Sequence, residues 1–125
     1  MKRLLIAVLF FPVFANASNW ILVSKSTDGD SYYVDSQSIM YNGNEASYWA
    51  KVNYKSRDKF GNLSSKEQWA MNCRTRESNL LYMNSYSDFD NRGTTTGSYK
   101  APADWRPVSP DSIAEEILRF VCKKR

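Results

Sequence analysis

The sequence predicts an α+β fold: an antiparallel sheet of about six strands with a C-terminal helix packed on one face, stapled by one disulfide. Three observations lead there. Short runs rich in Val, Tyr and Trp are separated by Gly, Asn and Asp clusters as far as Lys100. After Pro110 the apolar residues switch to helical spacing. Two cysteines, Cys73 in a strand pattern and Cys122 in the helical one, are the only two in the chain.

Trp20 to Lys25 and Ser31 to Asp35 read as strands joined through the Asp28-Gly29-Asp30 turn, a hairpin signature. Asn42-Gly43-Asn44 marks the next turn. Ala46 to Lys55 then alternates, with Tyr48, Ala50, Val52 and Tyr54 on one face and Trp49, Lys51, Asn53 and Lys55 on the other. The first face is expected to be core and the second wet. A polar loop over residues 56 to 65 leads to a strand from Lys66 to Arg74, in which Trp69, Met71 and Cys73 share the inner face. Leu80 to Ser87 and Thr94 to Lys100 complete the sheet around an Asp90-Asn91-Arg92-Gly93 turn. Ser109 is placed to cap the helix, with Pro110 in its first turn and Asp111 at the positive end of its dipole. Ile113, Ile117, Phe120 and Val121 form the apolar stripe, and Lys123, Lys124 and Arg125 end the helix where cations are favoured. Cys122 lies beside that stripe, within reach of the sheet.

Location is written at the other end of the chain. Lys2 and Arg3 precede the apolar run Leu4 to Phe14, and Ala15-Asn16-Ala17 supplies small residues where a signal peptidase reads. The run is shorter than the roughly 20 residues needed to span a bilayer. Residues 1–17 are therefore expected to be a signal peptide and residues 18–125 one exported domain. Ser18, rather than cysteine, follows the expected cleavage site, so no lipid anchor is foreseen. In a Gram-negative bacterium the product would occupy the periplasm or be released to the surface or medium. Export also makes a Cys73–Cys122 disulfide the default reading, and closing a loop of about 50 residues would stabilise the fold by roughly 4 kcal/mol.

Composition excludes more than it names. Lys2 and Arg3 leave with the leader, so the net charge falls from +4 to +2, too little to point to nucleic acid. There is no histidine to act as general base, and Glu115 and Glu116 are adjacent on a helix and diverge, so an enzyme is not expected. Asp28 with Asp30, and Asp88 with Asp90 and Asn91, do not complete a calcium loop and read as turns, so neither a metal nor any cofactor is expected. Most of the eight tyrosines and four tryptophans read as strand formers and core, Tyr48, Tyr54 and Trp69 among them, rather than as a sugar platform.

One surface invites a partner. Lys51, Lys55, Arg57 and Lys59 follow Trp49 along a strand face and the loop after it, and Arg74 and Arg76 close the next strand. Basic and aromatic groups together suit an acidic protein or polysaccharide. The plainer reading is a solvated strand face whose lysines discourage edge pairing. An exposed edge strand would also permit a homodimer.

The Tyr-Tyr-Val-Asp-Ser-Gln-Ser-Ile stretch at residues 32 to 39, Trp49, the Asn72-Cys73 pair, and the Trp-Arg-Pro-Val-Ser-Pro-Asp-Ser block at residues 105 to 112 with Val121-Cys122 after it form one pattern. It resembles the surface-adhesin protein E family of Gram-negative bacteria over nearly all of residues 18–125. The resemblance implies a small sheet-plus-helix domain, displayed at the cell surface in some members, where it binds host extracellular-matrix and plasma proteins. The competing expectation is a soluble periplasmic accessory or inhibitor-like protein that binds a bacterial partner.

Overall fold

The computed structural model describes residues 17–123. The expected leader, apart from Ala17, and the last two basic residues lie outside the described residues. Eight strands and one helix follow in order: β1 Trp20–Lys25, β2 Ser31–Asp35, β3 Met40–Asn42, β4 Glu45–Asn53, β5 Ser64–Asn72, β6 Glu77–Tyr86, β7 Thr95–Lys100, β8 Arg106–Pro107 and α1 Ile113–Lys123. The six expected strands form one antiparallel path, β1-β2-β4-β5-β6-β7, with β3 paired to β4 and β8 to β6.

Alternation on β4 decides which face is core. Ala46, Tyr48, Ala50 and Val52 are all buried, and Met71 of β5, Val34 of β2 and Leu118 and Val121 of α1 close over them. Fully burying a side chain such as Leu118 or Val121 contributes about 1.5–3 kcal/mol. Cys73 extends the same face of β5 and bonds Cys122 across a Cα separation of 5.7 Å, as expected. Two further ties fix the helix to the sheet. The Tyr41 hydroxyl of β3 donates to the Val121 carbonyl at 2.5 Å, and Arg76, at the β5–β6 turn, pairs with the buried Glu115 at 2.7 Å.

Three local expectations are corrected. The helix is capped by Ser112, not Ser109: Ser112 Oγ accepts from the Glu115 N–H at 3.1 Å and donates to the Ser109 carbonyl at 2.6 Å. Asp111 takes a left-handed φ of 58°, which breaks any helical path through Pro110 and moves the start to Ile113. The β5–β6 connection is tighter than expected, with β6 beginning at Glu77 instead of Leu80. There the Asn72 side chain accepts from the N–H groups of Arg74 and Thr75 while Arg76 adopts a φ of 59°, closing the reversal without a glycine. Finally, β4 ends at Asn53 and β5 begins at Ser64, directly opposite it.

An 11-residue helix is about 16 Å long, whereas the nine residues of β5 span about 30 Å and six strands about 24 Å across. One helix cannot seal this sheet, so its attachment matters to stability. Replacing both Cys73 and Cys122 by serine is expected to lower unfolding free energy by about 4 kcal/mol. Urea unfolding of the oxidised wild type and the double variant measures this, and coincident midpoints would show that the bridge adds nothing.

Candidate functional site

The residues of β4 that alternate with the core project from the opposite face of the sheet. Lys51 lies opposite Tyr33 on β2 and Lys66 on β5, while Trp49 lies opposite Gln68, which in turn faces Tyr82 on β6. Two lysines directly across a strand pair repel each other. Their side chains part company here. Lys51 Nζ lies 4.9 Å from the centre of the Trp20 ring and 4.8 Å from that of Tyr33, and it donates to Asp90 Oδ1 at 3.0 Å. Lys66 Nζ instead sits 5.0 Å over Trp49, whose ring meets Tyr82 edge-on at 6.0 Å. The result is a stripe across the sheet in which two basic groups, Lys51 and Lys66, are flanked by two aromatic pairs, Trp20 with Tyr33 and Trp49 with Tyr82.

A short 3₁₀ turn, Phe89–Asn91, holds one end of the stripe. Ser64 Oγ donates to the Asp88 carbonyl and accepts from the Asn91 N–H, while Asn53 Oδ1 accepts from the Asp90 N–H. Asp90 then returns its carboxylate to Asn53 Nδ2 and Lys51. Hydrogen bonds from those two side chains, with the Lys51 charge behind them, hold the Asp90 carboxyl below its ordinary range.

The sequence suggests one candidate surface of seven residues, and the structure distributes them. Trp49 belongs to the stripe. Lys51 is only 6% exposed, a correction to its expected place on a wet face, because rings from β1 and β2 fold over its ammonium. Lys55, Arg57 and Lys59 are exposed in the loop after β4. There Arg57 closes the loop by donating to the carbonyls of Gly61 and Ser87, and Lys59 lies over Phe60. Arg74 and Arg76 sit beyond the other end of β5, about 27 Å away by the rise of that strand. Arg76 there is committed to Glu115. These seven do not form one continuous patch.

Trp20, Tyr33, Lys66, Tyr82 and Asp90 lie outside the surface that the sequence suggests. Alternation assigns a residue to a face but not to a neighbour, and the stripe is assembled by register across five strands. In the acidic turns, Asp30 accepts from the Lys55 N–H and Asp90 accepts from Lys51. Among the described residues no group of three His, Cys, Asp or Glu side chains could hold a metal ion, and no helix is long and apolar enough to cross a membrane.

Residues 20–123 match the family model described as surface-adhesin protein E. The chain belongs to this family. Three solved structures give the same fold. Crystal form II of Haemophilus influenzae protein E is 20% identical, with a TM-score of 0.67 over 86% of this chain and 90% of that one. Another structure of Haemophilus influenzae protein E is 19% identical, with a TM-score of 0.68 over 86% of each chain. Protein E from non-typeable Haemophilus influenzae is 17% identical, with a TM-score of 0.61 over 86% of this chain and 77% of that one. No curated protein matches. At these identities the solved structures establish the shared fold, and the stripe must be judged on this chain's own residues.

Asp90 allows the stripe's electrostatics to be tested. Asparagine tolerates the left-handed backbone at this position, where φ is 58°, so Asp90→Asn removes charge without straining the turn. A carboxyl depressed in the folded state adds stability above its unfolded pKa, about 4, and loses it as pH falls through the folded value. The variant is expected to be less stable than wild type at pH 7 by about 1 kcal/mol, since the carboxylate is half exposed and partly screened. The difference should vanish in strong acid. Thermal unfolding across pH checks this, and a difference independent of pH would assign the effect to the turn instead.

Proposed function

We propose that this chain is an exported, non-enzymatic, adhesin-like binding protein that contacts a protein partner through the aromatic–basic stripe, and that the partner is a host extracellular-matrix or plasma protein with an acidic surface. The observation that carries the reading is the stripe itself, on a chain of the surface-adhesin protein E family. Trp and Tyr dominate the energetics of protein interfaces because they bury large area at little entropic cost. Leu22, 47% exposed and opposite Tyr33, extends the same surface with an apolar group. Lys66 supplies the charge that would steer an acidic partner and make association salt-dependent. The leader at residues 1–17 supports export, and the lack of histidine supports a non-catalytic role.

Two measurements test this. Lys66→Glu places an acid opposite Lys51, which should leave the sheet intact while reversing the charge offered to a partner. On immobilised matrix and plasma proteins the wild type is expected to bind, Lys66→Glu about ten-fold or more weakly, and Trp49→Ala comparably weakly. Equal binding by all three would remove the stripe from the interface. The second measurement is protease accessibility on intact cells. Cleavage is expected, whereas protection lifted only by permeabilising the outer membrane would replace the adhesin reading with a periplasmic accessory or inhibitor-like role.

A further inference from the structure

The helix leaves part of its own face of the sheet unfilled. Between α1 and the centre of the sheet lies a cavity of about 200 Å³. Tyr32, Tyr48 and Trp69 give it aromatic walls, and Ile113 and Ile117 close it from the helix. Glu67, from the middle of β5, is the only acidic or basic side chain in its lining.

A carboxyl group is costly there. Packing an apolar side chain would fill the space without removing a charge from water. Glu67 has two neutral donors: Trp69 Nε1 at 2.8 Å on one oxygen and Ser65 Oγ at 3.1 Å on the other. Among the described residues no lysine or arginine pairs with it, in contrast to Asp90, Glu115 and Asp104, each of which has a basic partner. Lys66 is next in sequence, but strand alternation sends it to the other face. Burial without a counter-charge raises the Glu67 carboxyl, and the two hydrogen bonds only partly offset that. A lone acid facing aromatic walls in an apolar cavity is charge-complementary to an organic cation. The carboxylate supplies the opposite charge and the rings supply faces on which an ammonium and its attached body can rest.

We propose that this cavity binds a small primary organic ammonium of arylalkylamine type, its ammonium on Glu67 and its apolar body between Trp69, Tyr48 and the helix isoleucines. A cavity of about 150 Å³ holds benzene, so this one has room for about eight non-hydrogen atoms, the size of benzylamine. The site lies on the helix side of the sheet and shares only Tyr33 with the aromatic–basic stripe, and its ligand chemistry is tested independently of the adhesin reading.

The test is titration calorimetry with NMR of the Trp69 indole N–H, on the oxidised mature chain, using benzylamine, benzyl alcohol and benzoate as probes. Benzylamine is expected to bind and to shift the Trp69 resonance. Benzyl alcohol, of the same size but neutral, should bind about ten-fold or more weakly, as loss of a charge-assisted hydrogen bond requires, and benzoate should not bind. Glu67→Gln keeps an acceptor for Trp69 and should erase the preference for the amine. Ile117→Trp fills the cavity from the helix and should abolish binding without touching Glu67. Equal affinity of the wild type for amine and alcohol, absence of amine binding, or amine binding without a Trp69 shift would each overturn the proposal, whichever variants fold.

Discussion

The attachment of one short helix to one end of a wide sheet is the constraint on which the rest of this structure depends. The Cys73–Cys122 bridge, the Tyr41 hydroxyl on the Val121 carbonyl and the Arg76–Glu115 ion pair anchor both halves of α1. The β5–β6 turn is the common post: it carries Cys73 and Arg76, and the Arg76 carbonyl also accepts from the Val108 N–H. With the helix held there, Leu118 and Val121 complete the core over Ala46, Val34 and Met71. Coverage thins toward Val52 and Glu67, because a helix of about 16 Å cannot extend further. Core and cavity thus have one cause.

The two faces of the central strands then solve opposite electrostatic problems. Lys66 and Glu67 are neighbours in sequence and carry opposite charges, yet the pleat turns them to different sides and forbids their pairing. Each face must supply its own compensation. On the stripe side Lys51 finds two ring faces and the Asp90 carboxylate, brought from a turn 39 residues away. On the helix side Glu67 finds an indole N–H and a hydroxyl but no cation. The buried lysine is therefore explained as part of the fold, whereas the partly buried carboxyl is left with only neutral partners.

Much of the architecture was legible because it is local. The six long strands, the inner face of β4, the inward Cys73 and its bridge follow from alternation, turn residues and two cysteines. What was missed has specific physical reasons. Strand β3 spans three exposed residues, Met40–Asn42, and β8 two, Arg106–Pro107, both too short to show a period, and the second contains proline. The helix cap moved from Ser109 to Ser112 because Asp111 adopts a left-handed conformation that an aspartate does not announce. The candidate surface was harder still. Lys51, Lys55 and Arg57 are near one another in sequence, but contact across a sheet is set by register, which places Lys51 opposite Tyr33 and Lys66, while the 3₁₀ turn brings Asp90 to it.

Those differences bear on how the two surfaces can communicate. The stripe is built on the β1-β2-β4-β5-β6 ladder and needs nothing from α1, while the cavity exists only where α1 meets that ladder. A ligand bound in the cavity stabilises the docked helix by mass action, since the undocked chain lacks one wall of the site. It would alter a partner's affinity on the other face only if the sheet had two arrangements that both ligands distinguished. Backbone pairing ties all five ladder strands together across their width, interrupted by register shifts at Leu22/Ser24 and opposite Gln68/Trp69. Thermodynamically, then, occupancy of the cavity belongs with helix docking and the disulfide, and recognition at the stripe belongs with the sheet.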